Sequence, residues 1–394
     1  MAETSDHSKK PLSPETVLTH AGRHPGADRG YVNTPVYRGS TILFPTLDDL
    51  ESPGPRYDYG RTGNPSSAAV EQIVSALEGA AITVLAPSGL SAISLALLTV
   101  LGSGDELLMT DSAYQPTRRV SDGVLARMGV SVRYHDPRTG GGIASLITDK
   151  TRAIFVESPG SLTFEIEDLP AIVAAARPRD IAIIVDNSWA TPLFHRPLAL
   201  GADIVVHAAT KMFVGHSDTM LGTASANDKW RDRLRDTHLR LGLCASPDDC
   251  FLAARGLRTL ALRMREHSAH STEIAAWLET RPGVRRVLHP ALPSHPDHAL
   301  FTRDFTGAGS VFAAVLEPKP RSALAAMVDG FELFGMGWSW GGYESLCLPI
   351  HPEKTRTATP WTEAGPMLRL HIGLEGVDDL KADLDAALAR YAAA

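Results

Sequence analysis

The sequence predicts an α/β fold: a mainly parallel sheet covered by helices, followed by a smaller C-terminal α+β domain. Short β-branched runs alternate with helical stretches over the first two thirds of the chain, which is typical of parallel sheets covered on both faces. From about Phe251 this alternation gives way to a long helical stretch and then to mixed strands and helices. We therefore expect an N-terminal arm at residues 1–62, a large domain at 63–255 and a C-terminal domain at 256–394.

The individual elements follow from the spacing of apolar residues and from the positions of glycine and proline. Strands are predicted at residues 82–85, 106–109, 132–135, 153–157, 181–185, 204–207, 311–316 and 367–371. Helices are predicted at residues 68–78, 90–101, 169–176, 251–279, 322–328 and 378–391.

Length and charge exclude several classes of protein. The 394 residues suit two coupled domains. The 38 basic and 45 acidic side chains give a net charge of −7 with no basic block, so a nucleic-acid partner is not expected. No run approaches the roughly 20 apolar residues of a membrane helix, and the first residues lack the apolar core of a secretory signal. We expect a cytoplasmic protein without a membrane partner.

Cysteine and histidine usage gives no indication of a metal centre. The three cysteines, Cys244, Cys250 and Cys347, have neither the even number of a disulfide framework nor metal-ligand spacing. Three histidines between residues 289 and 298 lie among prolines, without helical spacing or a paired carboxylate framework. We expect reduced thiols and no metal site.

A carboxylate and an amine stand at the ends of two predicted strands. Asp186 follows the apolar run 181–185, and Lys211 comes shortly after the run 204–207. Ligands bind at the strand ends of open α/β sheets. An amine that can form a Schiff base and an acid that can hold a pyridinium nitrogen are the groups that pyridoxal phosphate needs. Taken alone, a lysine in this position is more often a solvated charge, and an aspartate in this position is more often a turn or helix cap.

A phosphate site is predicted where the first strand meets the next helix. Ser88, Gly89 and Leu90 follow the strand at 82–85, and a helix start with glycine presents free N–H groups to an anion. A plain helix cap is the alternative interpretation. A dinucleotide or Walker-type site is excluded, because the sequence contains neither GxGxxG nor GxxxxGK[ST].

Three further segments carry large or charged side chains. The segment YDYGRTGNP contains Tyr59 and Arg61, and Tyr114 follows the predicted strand at 106–109. The segment WSWGGYES contains Ser339 and cannot be a regular element, because two glycines adjoin. Arg369 lies in the predicted strand at 367–371, where it is either a surface charge or a fork for a carboxylate.

The motifs DNSWATP, AATKMFVGHSD, SWGGYESL and RLHIGLE occur in this order, and together they carry a resemblance. The sequence from about residue 14 to the C-terminus resembles the fold-type-I pyridoxal-phosphate enzymes of cysteine and methionine metabolism. This resemblance implies that Lys211 holds the cofactor and acts catalytically with Tyr114, which stacks on the ring. It further implies that Asp186 faces the ring nitrogen and that Ser88, Gly89, Leu90 and Thr210 hold the phosphate.

The resemblance also implies a shared active site and a substrate clamp. Tyr59 and Arg61 would reach the phosphate of the neighbouring subunit from the N-terminal arm, with Tyr59 also near the substrate, in a homodimer that pairs into a tetramer. Ser339, Trp340 and Arg369 would bind the substrate, an amino-acid thioether.

The lysine segment is most similar to the β-acting members of the family, which implies β-elimination of L-cystathionine to homocysteine, pyruvate and ammonia in methionine biosynthesis. The sequence WSWGG at 338–342 differs from the Glu-Ser-Leu-Gly-Gly of γ-acting relatives, whereas GRTGNP after Tyr59 is more similar to them. A cystathionine γ-lyase or γ-synthase, a methionine γ-lyase, and a C–S lyase of secondary metabolism are the alternatives. A pseudoenzyme is disfavoured because Asp186, Thr210 and Lys211 are all present.

Overall fold

The computed structural model describes residues 12–52 and 57–394, so parts of the predicted N-terminal arm lie outside the described residues. The strands in this part of the chain are β1 Ile82–Ala86, β2 Glu106–Thr110, β3 Ser131–His135, β4 Thr151–Glu157, β5 Ala182–Asp186, β6 Ile204–His207, β7 Gly222–Ala226, β8 Val284–Leu288, β9 Val311–Leu316, β10 Leu346–Ile350 and β11 Met367–His371. The α-helices are α1 Pro14–His20, α2 Leu47–Glu51, α3 Pro65–Glu78, α4 Gly89–Val100, α5 Gln115–Val120, α6 Leu169–Ala176, α7 Thr191–Phe194, α8 Arg231–Leu241, α9 Pro247–Arg258, α10 Leu260–Leu278, α11 His298–Asp304, α12 Arg321–Val328 and α13 Val377–Ala393. None of these helices is long and apolar enough to span a bilayer.

Seven strands form the larger sheet, in the order β1-β7-β6-β5-β4-β2-β3. Strands β2 to β6 pair in parallel with one another. Strand β7 is antiparallel to both β1 and β6, so β1 runs in the same direction as the parallel strands. The mainly parallel sheet predicted from the sequence is confirmed.

Helices cover both faces of this sheet, because alternate side chains of each central strand point to opposite sides. Ile184 of β5 belongs to an apolar cluster that includes residues of α4 and α8, whereas Val185 belongs to a cluster that includes residues of α6. The strands are therefore apolar at nearly every position, as the sequence runs indicated.

The smaller sheet is antiparallel throughout, in the order β10-β11-β9-β8. One face packs against α10, α12 and α13. The other face packs against residues that follow β4 and β5, among them Phe164 and Trp189. The indole Nε1 of Trp189 donates a hydrogen bond of 2.8 Å to the carbonyl oxygen of Val311. The second sheet is thereby held against the carboxyl edge of the first.

The predicted helix at 251–279 is instead two helices, α9 and α10, which meet at Thr259. Thr259 has a non-helical backbone (φ −107°, ψ 6°). The buried Arg263 donates a hydrogen bond of 2.7 Å to the carbonyl oxygen of Gly256, near the end of α9. A side chain therefore satisfies this carbonyl group where the helix ends. Gly256 itself packs so closely on Val214 that a Cβ atom would lie 2.3 Å from that residue's carbonyl oxygen. Tertiary packing therefore divides a sequence that is helical by local pattern.

Asp111, just after β2, joins the two parts of the molecule. Its carboxylate accepts a hydrogen bond of 2.8 Å from Arg118 and one of 3.2 Å from Arg356. It also accepts from the backbone N–H groups of Thr357 and Thr359, which lie in the loop between β10 and β11. Burial alone would raise the pKa of Asp111, but the N–H groups of Thr359 and Thr357 and the Arg118 guanidinium outweigh burial and hold the pKa well below its usual range.

We expect Asp111→Asn to lower the free energy of unfolding at pH 7 by about 3 kcal/mol, because it removes the acidic partner of the buried Arg118 and one of two acidic partners of the buried Arg356. The folded-state pKa of Asp111 is depressed, so its stabilisation is complete above its unfolded-state pKa of about 3.9 and is lost as the pH falls further. The difference between wild type and variant should therefore narrow below about pH 4. Urea unfolding followed by circular dichroism measures both quantities.

Asp180→Asn is the matched control, because Asp180 forms an exposed ion pair with Lys229 at 2.6 Å. Exposed pairs contribute little to stability, so no measurable change is expected. If the two variants unfold at the same urea concentration, Asp111 does not hold the two parts together.

Candidate active site

Most of the predicted site residues lie at the carboxyl edge of the larger sheet. Ser88 follows β1, Tyr114 follows β2, Asp186 ends β5 and Lys211 lies four residues after β6. These strands all run in one direction, so their carboxyl ends meet at a single edge.

The N-terminus of α4 forms an anion cradle at this edge. Ser88 caps the helix by accepting a hydrogen bond of 3.2 Å from the backbone of Ser91. Gly89 lies so close to Ala208 that a Cβ atom would be 2.5 Å from the alanine Cβ, so no side chain fits there. Gly89 and Leu90 are the first two helical residues, whose N–H groups have no partner within a helix. The cradle therefore adjoins the segment that leads to Lys211.

Thr210 lies in that same segment. Its hydroxyl accepts a hydrogen bond of 2.9 Å from the backbone N–H of Leu221, which precedes β7. This contact holds the hydroxyl next to the backbone that turns into Lys211.

Lys211 connects the two sheets. Its Nζ donates a hydrogen bond of 2.7 Å to Ser339 Oγ and lies 5.3 Å from the ring centroid of Trp340. Burial, and then the charge of Arg369, lower the pKa of the Lys211 amine to about 8, against the opposing effect of Asp186. A much larger fraction of this amine is therefore unprotonated near neutral pH than for a surface lysine.

Asp186 is buried at the end of β5. Its Oδ1 accepts a hydrogen bond of 2.9 Å from the backbone N–H of Ser188. Burial raises the pKa of Asp186, whereas the contacts with Ser188 and the charges of His207 and Lys211 lower it. The carboxylate is thus placed where a cation in the pocket would be strongly bound.

Arg369 comes from β11 of the smaller sheet and is buried. Its Nη2 donates to the carbonyl oxygens of Gly337, Trp338 and Ser339, at 3.2, 3.0 and 3.0 Å. Nε and Nη1 form no hydrogen bond with any residue in the ranges 12–52 and 57–394, which leaves donors for a carboxylate ligand. Burial lowers the pKa of Arg369 to about 10, so the guanidinium remains charged at neutral pH.

Tyr114 immediately precedes α5, and its side chain is about half exposed. Its backbone N–H donates a hydrogen bond of 2.7 Å to Glu157 Oε2. Burial, and then the neighbouring Glu157 carboxyl group, raise the pKa of the Tyr114 phenol, whereas Arg369 lowers it. The phenol therefore lies within electrostatic reach of both sheets.

Tyr59 and Arg61 are not brought to this cluster. Tyr59 forms an isolated bridge with Thr41, and Arg61 donates a hydrogen bond of 3.4 Å to the carbonyl oxygen of Leu239. Within the described part of the chain, no hydrogen bond or ring contact joins either residue to Ser88, Thr210 or Lys211.

Sequence reasoning missed Glu157 and Ser188, although both adjoin predicted site residues. Glu157 ends β4 and is the direct pairing partner of Asp186 on β5. Ser188 binds Asp186 and also accepts a hydrogen bond of 2.7 Å from the backbone N–H of Ala208. The signal for Glu157 was available, because it is an acid at the end of a predicted strand, as Asp186 is.

Over residues 12–52 and 57–394, no group of three or more His, Cys, Asp or Glu side chains could hold a metal ion. The histidines of the 289–298 segment contact protein groups instead: His289 lies 3.3 Å from Ser271 Oγ, and His298 lies 3.0 Å from the Pro290 carbonyl oxygen.

The site residues fit pyridoxal phosphate on structural grounds: a helix N-terminus with a glycine that admits no side chain, a buried carboxylate, and an amine with a lowered pKa. Known proteins agree with this fit. Residues 15–389 match the family described as "Cys/Met metabolism PLP-dependent enzyme".

Two relatives and one solved structure resemble nearly the whole chain. A putative cystathionine β-lyase from Rhizobium johnstonii is 45% identical over 382 residues, covering 96% of each chain. The cystathionine β-lyase of Escherichia coli is 40% identical, covering 95% of this chain and 98% of its own. The structure of cystathionine γ-synthase from Xanthomonas oryzae in complex with aminoacrylate and cysteine has a TM-score of 0.90 and 33% identity, covering 98% of this chain and 100% of its own. The chain therefore belongs to the pyridoxal-phosphate-dependent enzymes of cysteine and methionine metabolism, with the fold-type-I architecture.

Proposed function

We propose that this enzyme is a carbon–sulfur lyase that cleaves L-cystathionine by β-elimination to homocysteine, pyruvate and ammonia, as a step of methionine biosynthesis. The observation that carries the proposal is the environment of the Lys211 amine, which contacts Ser339 and the Trp340 ring. The residue before Ser339 is Trp338, and its indole is neither an acid nor a base, so that position offers no group to a second proton transfer. The names of the two β-lyase relatives support the same reaction.

Pyridoxal phosphate would be held by groups from four segments at the carboxyl edge. Ser88, Gly89, Leu90 and Thr210 would bind its phosphate, and Lys211 its aldehyde carbon. Asp186 would bind the ring nitrogen and Tyr114 would lie against the ring. When bound, the cofactor supplies an electron sink for the electrons released at the substrate Cα.

The chain's own residues then bind the substrate and move one proton. Arg369 binds the α-carboxylate through its free Nε and Nη1 donors, and Ser339 orients the substrate beside Trp340. Lys211 Nζ accepts the proton from Cα and, with Tyr114 assisting, delivers it to the sulfur atom as the Cβ–S bond breaks. The pKa of about 8 for the free amine suits both halves of this transfer.

We further propose that the active site is shared between subunits of a homodimer, which pairs into a tetramer, in the cytoplasm. Tyr59 and Arg61 have no contact with the site of their own described chain and are free to serve the phosphate of a neighbour. Large apolar side chains of the same N-terminal region are exposed and suited to burial between subunits, namely Tyr31, Val32, Leu43, Leu47 and Leu50. The division into an arm at 1–62, a large domain at 63–255 and a C-terminal domain at 256–394 belongs to this proposal.

Product analysis with L-cystathionine tests the reaction directly. β-Elimination yields pyruvate and homocysteine, and we expect these products. Formation of 2-oxobutyrate and cysteine would show cleavage on the γ side and would favour a γ-lyase. If the enzyme cleaves other cysteine thioethers but not cystathionine, it is a C–S lyase of different specificity.

We expect Lys211→Ala to lose turnover by at least about a thousandfold, within the range of general acid–base catalysis. Borohydride reduction of the holoenzyme followed by peptide mapping should place the cofactor on Lys211. Uptake of added cofactor by the apoenzyme should be half-maximal near pH 8, since the pKa of the amine is lowered to about 8 and only the unprotonated amine reacts. Lys229→Ala, which removes a surface amine paired with Asp180, is the control and should retain activity. Reduction that labels another lysine would contradict the assignment.

Arg61→Ala should weaken cofactor binding by about tenfold or more, because a charge-assisted hydrogen bond to phosphate is lost. Mixing Arg61→Ala with inactive Lys211→Ala chains gives hybrid dimers with one doubly damaged site and one intact site. At a cofactor concentration too low to load Arg61→Ala homodimers, we expect random exchange to return about a quarter of wild-type activity.

Arg231→Ala removes an exposed arginine of α8 and should leave activity unchanged, which controls for a general loss of positive charge. If subunit exchange is verified by mass spectrometry and no activity returns, Arg61 acts within its own chain and the shared-site proposal fails.

A further inference from the structure

Glu157 lies between two residues of the proposed cofactor site. It ends β4, which pairs with both β2 and β5 in the larger sheet. Its pairing partner on β5 is Asp186, and its Oε2 accepts a hydrogen bond of 2.7 Å from the backbone N–H of Tyr114. The Glu157 side chain therefore lies next to Asp186, the acid assigned to the ring nitrogen. It also fixes the backbone of Tyr114, which is assigned to the ring face.

A second acid faces Glu157 from the segment after β4. The backbone N–H of Glu157 donates a hydrogen bond of 3.1 Å to Glu167 Oε1. Glu167 is buried, and its Oε2 has no hydrogen-bond partner in the described structure. Three carboxyl groups, those of Glu157, Glu167 and Asp186, are thus gathered at one place.

In the described ranges, basic side chains act on Asp186 and on Glu167, and none is resolved as acting on Glu157. His207 and Lys211 both favour the ionised form of Asp186. Within residues 12–52 and 57–394, no basic side chain forms an ion pair with Glu157 or Glu167, and Arg356 acts on Glu167 only from a distance. Burial, and then the Asp186 charge, raise the pKa of Glu157 well above its usual value. Three neighbouring carboxyl groups in a medium of low dielectric constant cannot all be ionised at once, because their negative charges repel one another.

We propose that Glu157 is a positioning residue that works as a neutral carboxylic acid, anchoring the backbone at Tyr114 while leaving Asp186 as the charge that faces the cofactor. This inference rests on the proposed function, since it concerns the same cofactor site. An ionised Glu157 would keep the Tyr114 contact but would place a second negative charge beside Asp186. A neutral Glu157 performs the anchoring without changing the charge seen by the ring nitrogen.

The test compares Glu157→Gln with Glu157→Ala in the holoenzyme. Glutamine is neutral, has nearly the same shape and can accept the Tyr114 N–H through its carbonyl oxygen. We expect Glu157→Gln to leave the pH midpoint of the cofactor's absorption change unaltered. An ionised Glu157 would shift that midpoint by about one pH unit or more on removal, the effect of a unit charge a few ångström away at an effective dielectric constant of about 20. Such a shift would overturn the proposal.

Infrared difference spectroscopy gives an independent readout. The spectrum of wild type minus Glu157→Gln should show the carbonyl stretch of a protonated carboxylic acid, and the appearance of carboxylate bands alone would contradict the proposal. Glu157→Ala should retain bound cofactor but lose about tenfold in kcat, the equivalent of one hydrogen bond of typical net strength. An unchanged kcat in Glu157→Ala would show that the Tyr114 contact does no positioning.

These outcomes are separable from failure of the proposed function. If wild type shows no cofactor absorption, or if Lys211→Ala keeps its activity, the cofactor site itself is wrongly assigned. If wild type binds cofactor through Lys211 and the Glu157→Gln midpoint nevertheless moves, only the role of Glu157 is wrong.

Discussion

Parallel pairing of β4, β5 and β6 is the constraint on which the site depends. Parallel strands end at a common edge, and in this chain Glu157, Asp186 and the segment leading to Lys211 follow directly from those ends. These residues are far apart in the sequence, but the hydrogen bonds between the paired strands bring them close together in space. Small residues at Gly89 and Ala208 then let the helix N-terminus that follows β1 approach the same edge.

Burial at this edge changes the chemistry of the groups gathered there. The same removal of water lowers the pKa of the Lys211 amine to about 8 and raises the pKa values of Asp186 and Glu157. Each shift disfavours the charged form, and neighbouring charges decide which groups stay ionised. A larger fraction of the Lys211 amine is unprotonated at neutral pH. Asp186 is the acid whose ionised form is stabilised by nearby basic side chains. The protonation states are thus a property of the cluster and not of any one residue.

The smaller sheet completes the pocket from the other side. Arg369 holds the loop before Trp340 through three backbone carbonyls, and that loop delivers Ser339 to Lys211. Asp111 fixes a second loop of the same sheet beside the start of α5, where Tyr114 lies. The distance between the Lys211 amine and the Arg369 guanidinium therefore depends on contacts that hold the two sheets together.

Local sequence pattern determined the parallel strands, the helices of eight or more residues except α8, and the strand-end positions of Asp186 and Lys211, because periodic burial and strand ends are encoded within a few neighbouring residues. The sequence did not predict β7, β8 or β10: β7 consists of small residues, β8 carries two arginines and β10 contains Pro349, so none has a typical strand pattern. Only tertiary structure divided α9 from α10, set Glu157 beside Asp186, and kept Tyr59 and Arg61 away from the site of their own chain. These outcomes depend on contacts between residues far apart in sequence, which no local pattern contains.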